Sequence, residues 1–183
     1  VCGAVSADSD VPLGVLIGLK NLLIGGFTRE KFVEWLSLPI VSEKFDLESD
    51  DLAILNRWLA AAGFEVGLNP HLDAQAADPR QTQVYAPAAL HELTLERALE
   101  RLAFGWMLPQ DEDAAPYGDV LPVVGTELGG WDATGEKSGL LLKLENLYAV
   151  LETLRLKTAE GEKLTDGTSA HFWTLWIGEM LQK

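Results

Sequence analysis

The stretch GGWDATGEKSG, residues 129–139, has the residue types of a phosphate-binding loop. A hydrophobic run, 120–124, precedes it and a leucine-rich helical pattern follows it. The chemistry would be nucleotide binding, in which consecutive backbone N–H groups wrap the phosphates and a lysine reaches over them. That requires G-x-x-x-x-G-K-[ST], with the lysine directly after the second glycine. Gly130 and Gly135 have the right separation, but Glu136 stands before Lys137. Between Pro109 and Glu136 the charged residues are Asp111, Glu112, Asp113, Asp119, Glu127, Asp132 and Glu136, with no Lys or Arg. Such a segment repels phosphate. The reading that remains is a glycine-rich loop ending at a helix N-cap, Ser138.

Asp111-Glu112-Asp113 is the best metal candidate. A calcium loop needs oxygen ligands at alternate positions and a glycine at the sixth. Counted from Asp111, the fifth and sixth positions are Ala115 and Pro116; counted from Asp113, Gly118 is in place but Ala115 and Tyr117 are poor ligands. A solvated acidic loop over 109–138 is the better description, and a loop of that length is usually functional or mobile. Ser169 and His171 are the nearest approach to a nucleophile with its base, yet helix capping explains Ser169. His71, His91 and His171 have no metal-ligand spacing. Trp35, Trp58 and Trp106 lie on apolar helical stripes, where core packing outranks base stacking. Only Trp131 sits in the polar loop. The expected inventory is therefore no catalytic, cofactor-binding or metal-ligating residues, and no cofactor.

Composition sets further limits. With 183 residues and about half of them apolar, the chain can form one domain, 1–183, with a real core. Its net charge is −14 and its pI about 4.5. That argues against a surface devoted mainly to nucleic-acid backbone, though not against a small local contact, so the chain alone should bind DNA weakly or not at all. One cysteine, Cys2, fits a reducing, cytoplasmic setting. The opening VCGAVSADSD has neither an initiator Met nor a basic leader, so the chain reads as a fragment of a larger protein. The apolar stretch 11–24, broken by Lys20, is too short to span a bilayer.

Any site must be positioned by helices, because the dominant period is helical. In 11–24 the apolar residues surround the axis, as in a buried or partner-covered helix. Leu13, Ile17 and Ile24 are the candidate partner surface, since Lys20 marks the side that reaches solvent. Thr28 caps a helix carrying Phe32, Trp35 and Leu36. Pro39 starts a short turn of helix that Phe45 closes. Glu48 or Ser49 opens the next, with Leu52, Leu55, Trp58, Leu59 and Ala62 inward and Gly63 beyond its end. Residues 64–90 lack a period. Thr94 caps the stripe Leu95, Ala98, Leu99, Leu102 and Trp106. Leu140, Leu144, Leu147, Leu151 and Leu154 recur at steps of four and three, suited to shallow-angle packing. Residues 161–168 read as a turn, and Ser169 caps a last helix. The sum is an all-α irregular bundle of about six helices with long loops.

The stretch GGFTREKFVEWLSLPIVSEKFDLESDDLAILNRWLAAAGFEVGL, residues 25–68, resembles the RecC family, the gamma subunit of exodeoxyribonuclease V. Phe27, Thr28, Leu36, Leu38, Pro39, Phe45, Asp50, Asp51, Leu55, Trp58, Gly63, Gly67 and Leu68 match its pattern in order and spacing; Val66 replaces an aromatic. TLERALERLAFGWML resembles a later family helix, with Trp106 at a tyrosine position, and PYGDVLPVVGTELGG resembles its acidic loop. The resemblance covers most of 10–157, and beyond that only general character. It implies a domain like the helical one inserted into the second motor-like domain of superfamily-one helicase-like proteins. It also implies RecB-like and RecD-like partner subunits, DNA contact only within the full complex, no membrane and no catalytic residue of its own. Two rival readings are a free-standing helical interaction module and an acidic metal-dependent hydrolase built around Asp111 to Asp119.

Overall fold

A computed structural model describes residues 10–24, 26–69, 91–107, 116–123 and 136–163. Among these residues six helices follow in order: α1 (Asp10–Ile24), α2 (Arg29–Leu36), α3 (Pro39–Lys44), α4 (Ser49–Ala61), α5 (Leu95–Met107) and α6 (Glu136–Lys163). Among the described residues extended pairing is limited to two isolated bridges, Thr28 with Val66 and Tyr117 with Val120. The chain is all-α, as its periodicity predicts. No helix among these residues is long and apolar enough to cross a membrane.

Local chemistry explains the boundaries. Thr28 has extended backbone, and its hydroxyl faces the Lys31 N–H at the start of α2. Pro39 opens α3, where a missing N–H costs nothing. Ahead of α4 the Glu48 N–H donates to the Asp51 carboxylate at 3.0 Å, and Asp50 and Asp51 sit near the positive end of the helix. Gly63 ends α4 with φ +78°, and an added Cβ there would lie 2.9 Å from an Arg101 guanidinium nitrogen. Only glycine satisfies both conditions.

The core runs through all six helices. Neighbouring packed pairs include α1 with α2 and α3, α2 with α4, α4 with α5, and α5 with α6. Phe27, Phe32 and Phe64 meet with ring centroids 5.4 to 6.1 Å apart. Trp58 is fully buried and meets Trp106 edge-on at 6.1 Å. The leucines at 140, 144, 147, 151 and 154 are all buried, as their spacing predicts.

Four details differ from the sequence reading. The last long helix begins at Glu136, so Ser138 lies in its first turn and is not the N-cap; an acidic residue suits that end of the dipole. The same helix continues to Lys163. A single Gly161, costing about 1 kcal/mol, does not stop a run otherwise rich in helix formers. Trp106 is partly rather than fully buried, on the rim of the core. Within the expected loop 109–138, residues 116–123 fold back onto α5 (see below). The expected helix from Ser169, and Trp131, lie outside the described residues.

Candidate functional site

The described part of the acidic segment is held by two arginines one turn apart on α5. Arg97 is buried, with Nη1 2.9 Å from Glu100 and Nη2 3.2 Å from Glu92. Its Nη2 also donates to the Asp119 carbonyl and lies 3.3 Å from the Asp119 carboxylate. Burial works against the Arg97 charge. The hydrogen bonds to Glu100 and Glu92 and the charges of Glu92 and Asp119 outweigh it and raise its pKa. Arg101 donates from Nε to the Leu121 carbonyl and from Nη1 to the Ala62 carbonyl, each at 2.9 Å. Its own carbonyl accepts from the Val123 N–H at 3.1 Å. Thus α4, α5 and the segment 116–123 are joined at one residue.

This clamp leaves an uneven surface. Val120 and Val123 are buried, while Leu121 and Tyr117 are 50% and 60% exposed. The Tyr117 ring packs against Phe104, with centroids 5.0 Å apart and the planes tilted by 36°. One turn on, Met107 is also exposed. Glu92, Glu100 and Asp119, with side chains 53%, 46% and 83% exposed, share one buried guanidinium.

A second polar cluster fixes α6. Asn69, itself buried, donates from Nδ2 to the Tyr148 hydroxyl at 3.1 Å and to Glu152 at 3.3 Å. The Tyr148 hydroxyl is 3.3 Å from the same Glu152 oxygen. Burial pushes the Tyr148 pKa well above the ordinary phenol value; the Asn69 hydrogen bond opposes this, and the Glu96 and Glu152 charges add to it. Farther along, Lys143 binds the Asp46 carboxylate at 2.9 Å and its carbonyl.

The residues singled out in the sequence are distributed as follows. On α1, Val15, Leu19, Leu22 and Leu23 are buried and Ile17 is 50% exposed, beside exposed Gly14, Lys20 and Asn21. The side chains of Leu13 and Ile24 lie outside the described residues. So do Asp111, Glu112 and Asp113, whereas Asp119, the end of the proposed hydrolase cluster, faces Arg97. Among the described residues no three His, Cys, Asp or Glu side chains gather as a metal site. Lys137 follows Glu136 in the first turn of α6, and Gly130 and Gly135 are not among the described residues. Sequence reasoning passed over Arg97 and Arg101. The available signal was a pair of arginines at i, i+4 on a helix otherwise flanked by Glu92, Glu96 and Glu100, ahead of a long acidic segment.

No curated protein matches the chain. A family model described as the fourth domain of the RecBCD enzyme subunit RecC matches residues 10–181, which takes the similarity beyond the 10–157 legible by motif. With nearly its whole length matched, the chain belongs to the RecC fourth-domain family and is a domain of a subunit of the RecBCD enzyme.

Proposed function

We propose that the chain is a non-catalytic helical scaffold within its RecC-like subunit, holding partner subunits and helping to guide DNA during double-strand-break repair and recombination. The observation that carries this reading is the family match, joined to a structure whose charged and polar side chains serve as clamps. Arg97, Arg101, Asn69 and Lys143 each tie a helix to a distant segment. That is the chemistry of a rigid support. The chain's charge of −14 disfavours DNA backbone contact by this domain alone. Leu13, Ile17 and Ile24 on α1 are its proposed contact with neighbouring protein, and the exposure of Ile17 supports that reading.

The test is to replace residues 10–181 by a short linker in the full subunit and to measure assembly with RecB-like and RecD-like partners and ATP-dependent DNA unwinding. Both should fall. The isolated chain should turn over neither ATP nor DNA in the presence of divalent metal. ATP turnover lost on Lys137→Ala would overturn the scaffold reading and reinstate a nucleotide site.

A further inference from the structure

Residues 116–123 are built as a piece that closes on itself. The Tyr117 N–H donates to the Val120 carbonyl at 2.9 Å, and the Val120 N–H donates back to the Tyr117 carbonyl at 3.1 Å. Gly118 turns the chain between them with φ +65°. Neither of these bonds uses a group of the helix beneath.

Among the described residues, the outward polar bonds of this piece all end on α5. Asp119 meets Arg97 through both its carbonyl and its carboxylate. The Leu121 carbonyl accepts from Arg101, and the Val123 N–H donates to the Arg101 carbonyl. Tyr117 adds its ring against Phe104, and Val123 enters the core at 2% exposure. Both arginines also hold partners that do not belong to the segment. Arg97 donates to Glu92 and Glu100, and Arg101 to the Ala62 carbonyl. Lifting residues 116–123 away therefore leaves neither guanidinium without an acceptor. The heavy penalty for orphaning a buried charge does not apply to that motion.

We infer that residues 116–123 form a latch, which leaves α5 and returns to it as a unit while the six helices stay packed. Openings of this local kind need less free energy than unfolding of the core. The latch goes beyond the scaffold reading and does not depend on it.

The experiment uses the full subunit. Val123→Cys places a thiol at a buried position of the latch, and Leu102→Cys places one at a fully buried position of α5. Each thiol is labelled with excess reagent in the absence of denaturant, and the labelled peptides are followed by mass spectrometry. Position 123 is expected to react about a hundredfold faster than position 102. Gly118→Ala is then added to each variant. It strains the turn, because φ there is positive, yet its Cβ meets nothing within 4 Å. Labelling at 123 should rise about tenfold and labelling at 102 stay unchanged. Hydrogen exchange of the Val123 N–H against the Leu102 N–H, in the subunit of native sequence, makes the same comparison without the cysteines and should give the same order. Equal rates at the two positions overturn the inference, since the segment then leaves only when the core unfolds. A rise at both positions on Gly118→Ala has the same meaning. Labelling at 123 as fast as that of a free thiol also overturns it, because no docked state is then populated.

Discussion

Arg97 and Asp119 face each other at 3.3 Å, yet the arginine side chain is 3% exposed and the aspartate 83%. The pair is thus buried on one side only. Arg97 also reaches the Asp119 carbonyl, so a main-chain bond accompanies the charge contact.

The two ends of this contact should respond differently to substitution. Arg97→Met removes the buried member together with its bonds to Glu92, Glu100 and the Asp119 carbonyl, and should cost about 3 kcal/mol. Asp119→Asn leaves the carbonyl bond in place and should cost less than about 1 kcal/mol. Urea unfolding of the two variants gives both values. Equal costs would mean that the carboxylate, not the carbonyl, holds the segment to α5.

The tryptophan pair offers a second contrast. Trp58 is wholly buried, and Trp58→Ala should cost about 3–5 kcal/mol through lost burial and a cavity. Trp106 is partly buried, and its Nε1 is enclosed without a hydrogen-bond partner. Trp106→Phe discards that unpaired N–H and keeps a ring against Trp58, so it should cost less than Trp58→Phe. Thermal melts of the two phenylalanine variants check the order.

On α1, Gly14 and Gly18 differ in the space around them. An added Cβ at Gly14 meets nothing within 4 Å, and Gly14→Ala should stabilise by about 0.5–1 kcal/mol through helix propensity. At Gly18 it would lie 3.1 Å from the Trp35 ring, whose Nε1 donates to the Val15 carbonyl at 3.2 Å. Gly18→Val should therefore destabilise by about 1–3 kcal/mol as Trp35 is displaced. Loss of tryptophan fluorescence shift without loss of stability would contradict this account.

Tyr148 predicts an alkaline limit. Its folded pKa is raised above the ordinary 10.0, so the folded chain holds the phenolic proton more tightly than the unfolded one. Its contribution is fully present below the unfolded value and disappears as pH rises from there toward the folded value. At neutral pH Tyr148→Phe should cost about 1 kcal/mol by leaving Asn69 short of a partner. The difference between the native and Phe chains should shrink between neutral pH and about pH 11. A difference that stays constant over that range would place the hydroxyl in solvent.

The helices were legible because their apolar residues repeat locally. Trp58, Leu59 and the leucines from 140 to 154 could be assigned inward from their neighbours alone, and Thr28, Pro39 and Gly63 carry their boundary chemistry within a few residues. Arg97 was not legible. Its own helix places it beside the apolar stripe, and its cover comes from Asp119, 22 positions away. Phe64, Leu68 and Asn69 are buried in a stretch without period, because what buries them is the packing of helices distant in sequence. The candidate surface shares this origin. Tyr117 and Leu121 read as loop residues until the fold sets the Tyr117 ring against Phe104 and the Leu121 carbonyl on Arg101.

One arrangement of backbone bonds bears on how the chain would tolerate insertion. The Glu65 and Val66 N–H groups both donate to the Leu93 carbonyl, and the Leu95 and Glu96 N–H groups donate back to the Gly67 and Leu68 carbonyls. The two ends flanking residues 70–90 are thus pinned together by bonds that owe nothing to those residues. Closing a connection of twice the length costs only about 0.6 kcal/mol more. A longer connection between Asn69 and His91 should therefore leave these four bonds in place and cost little in loop entropy.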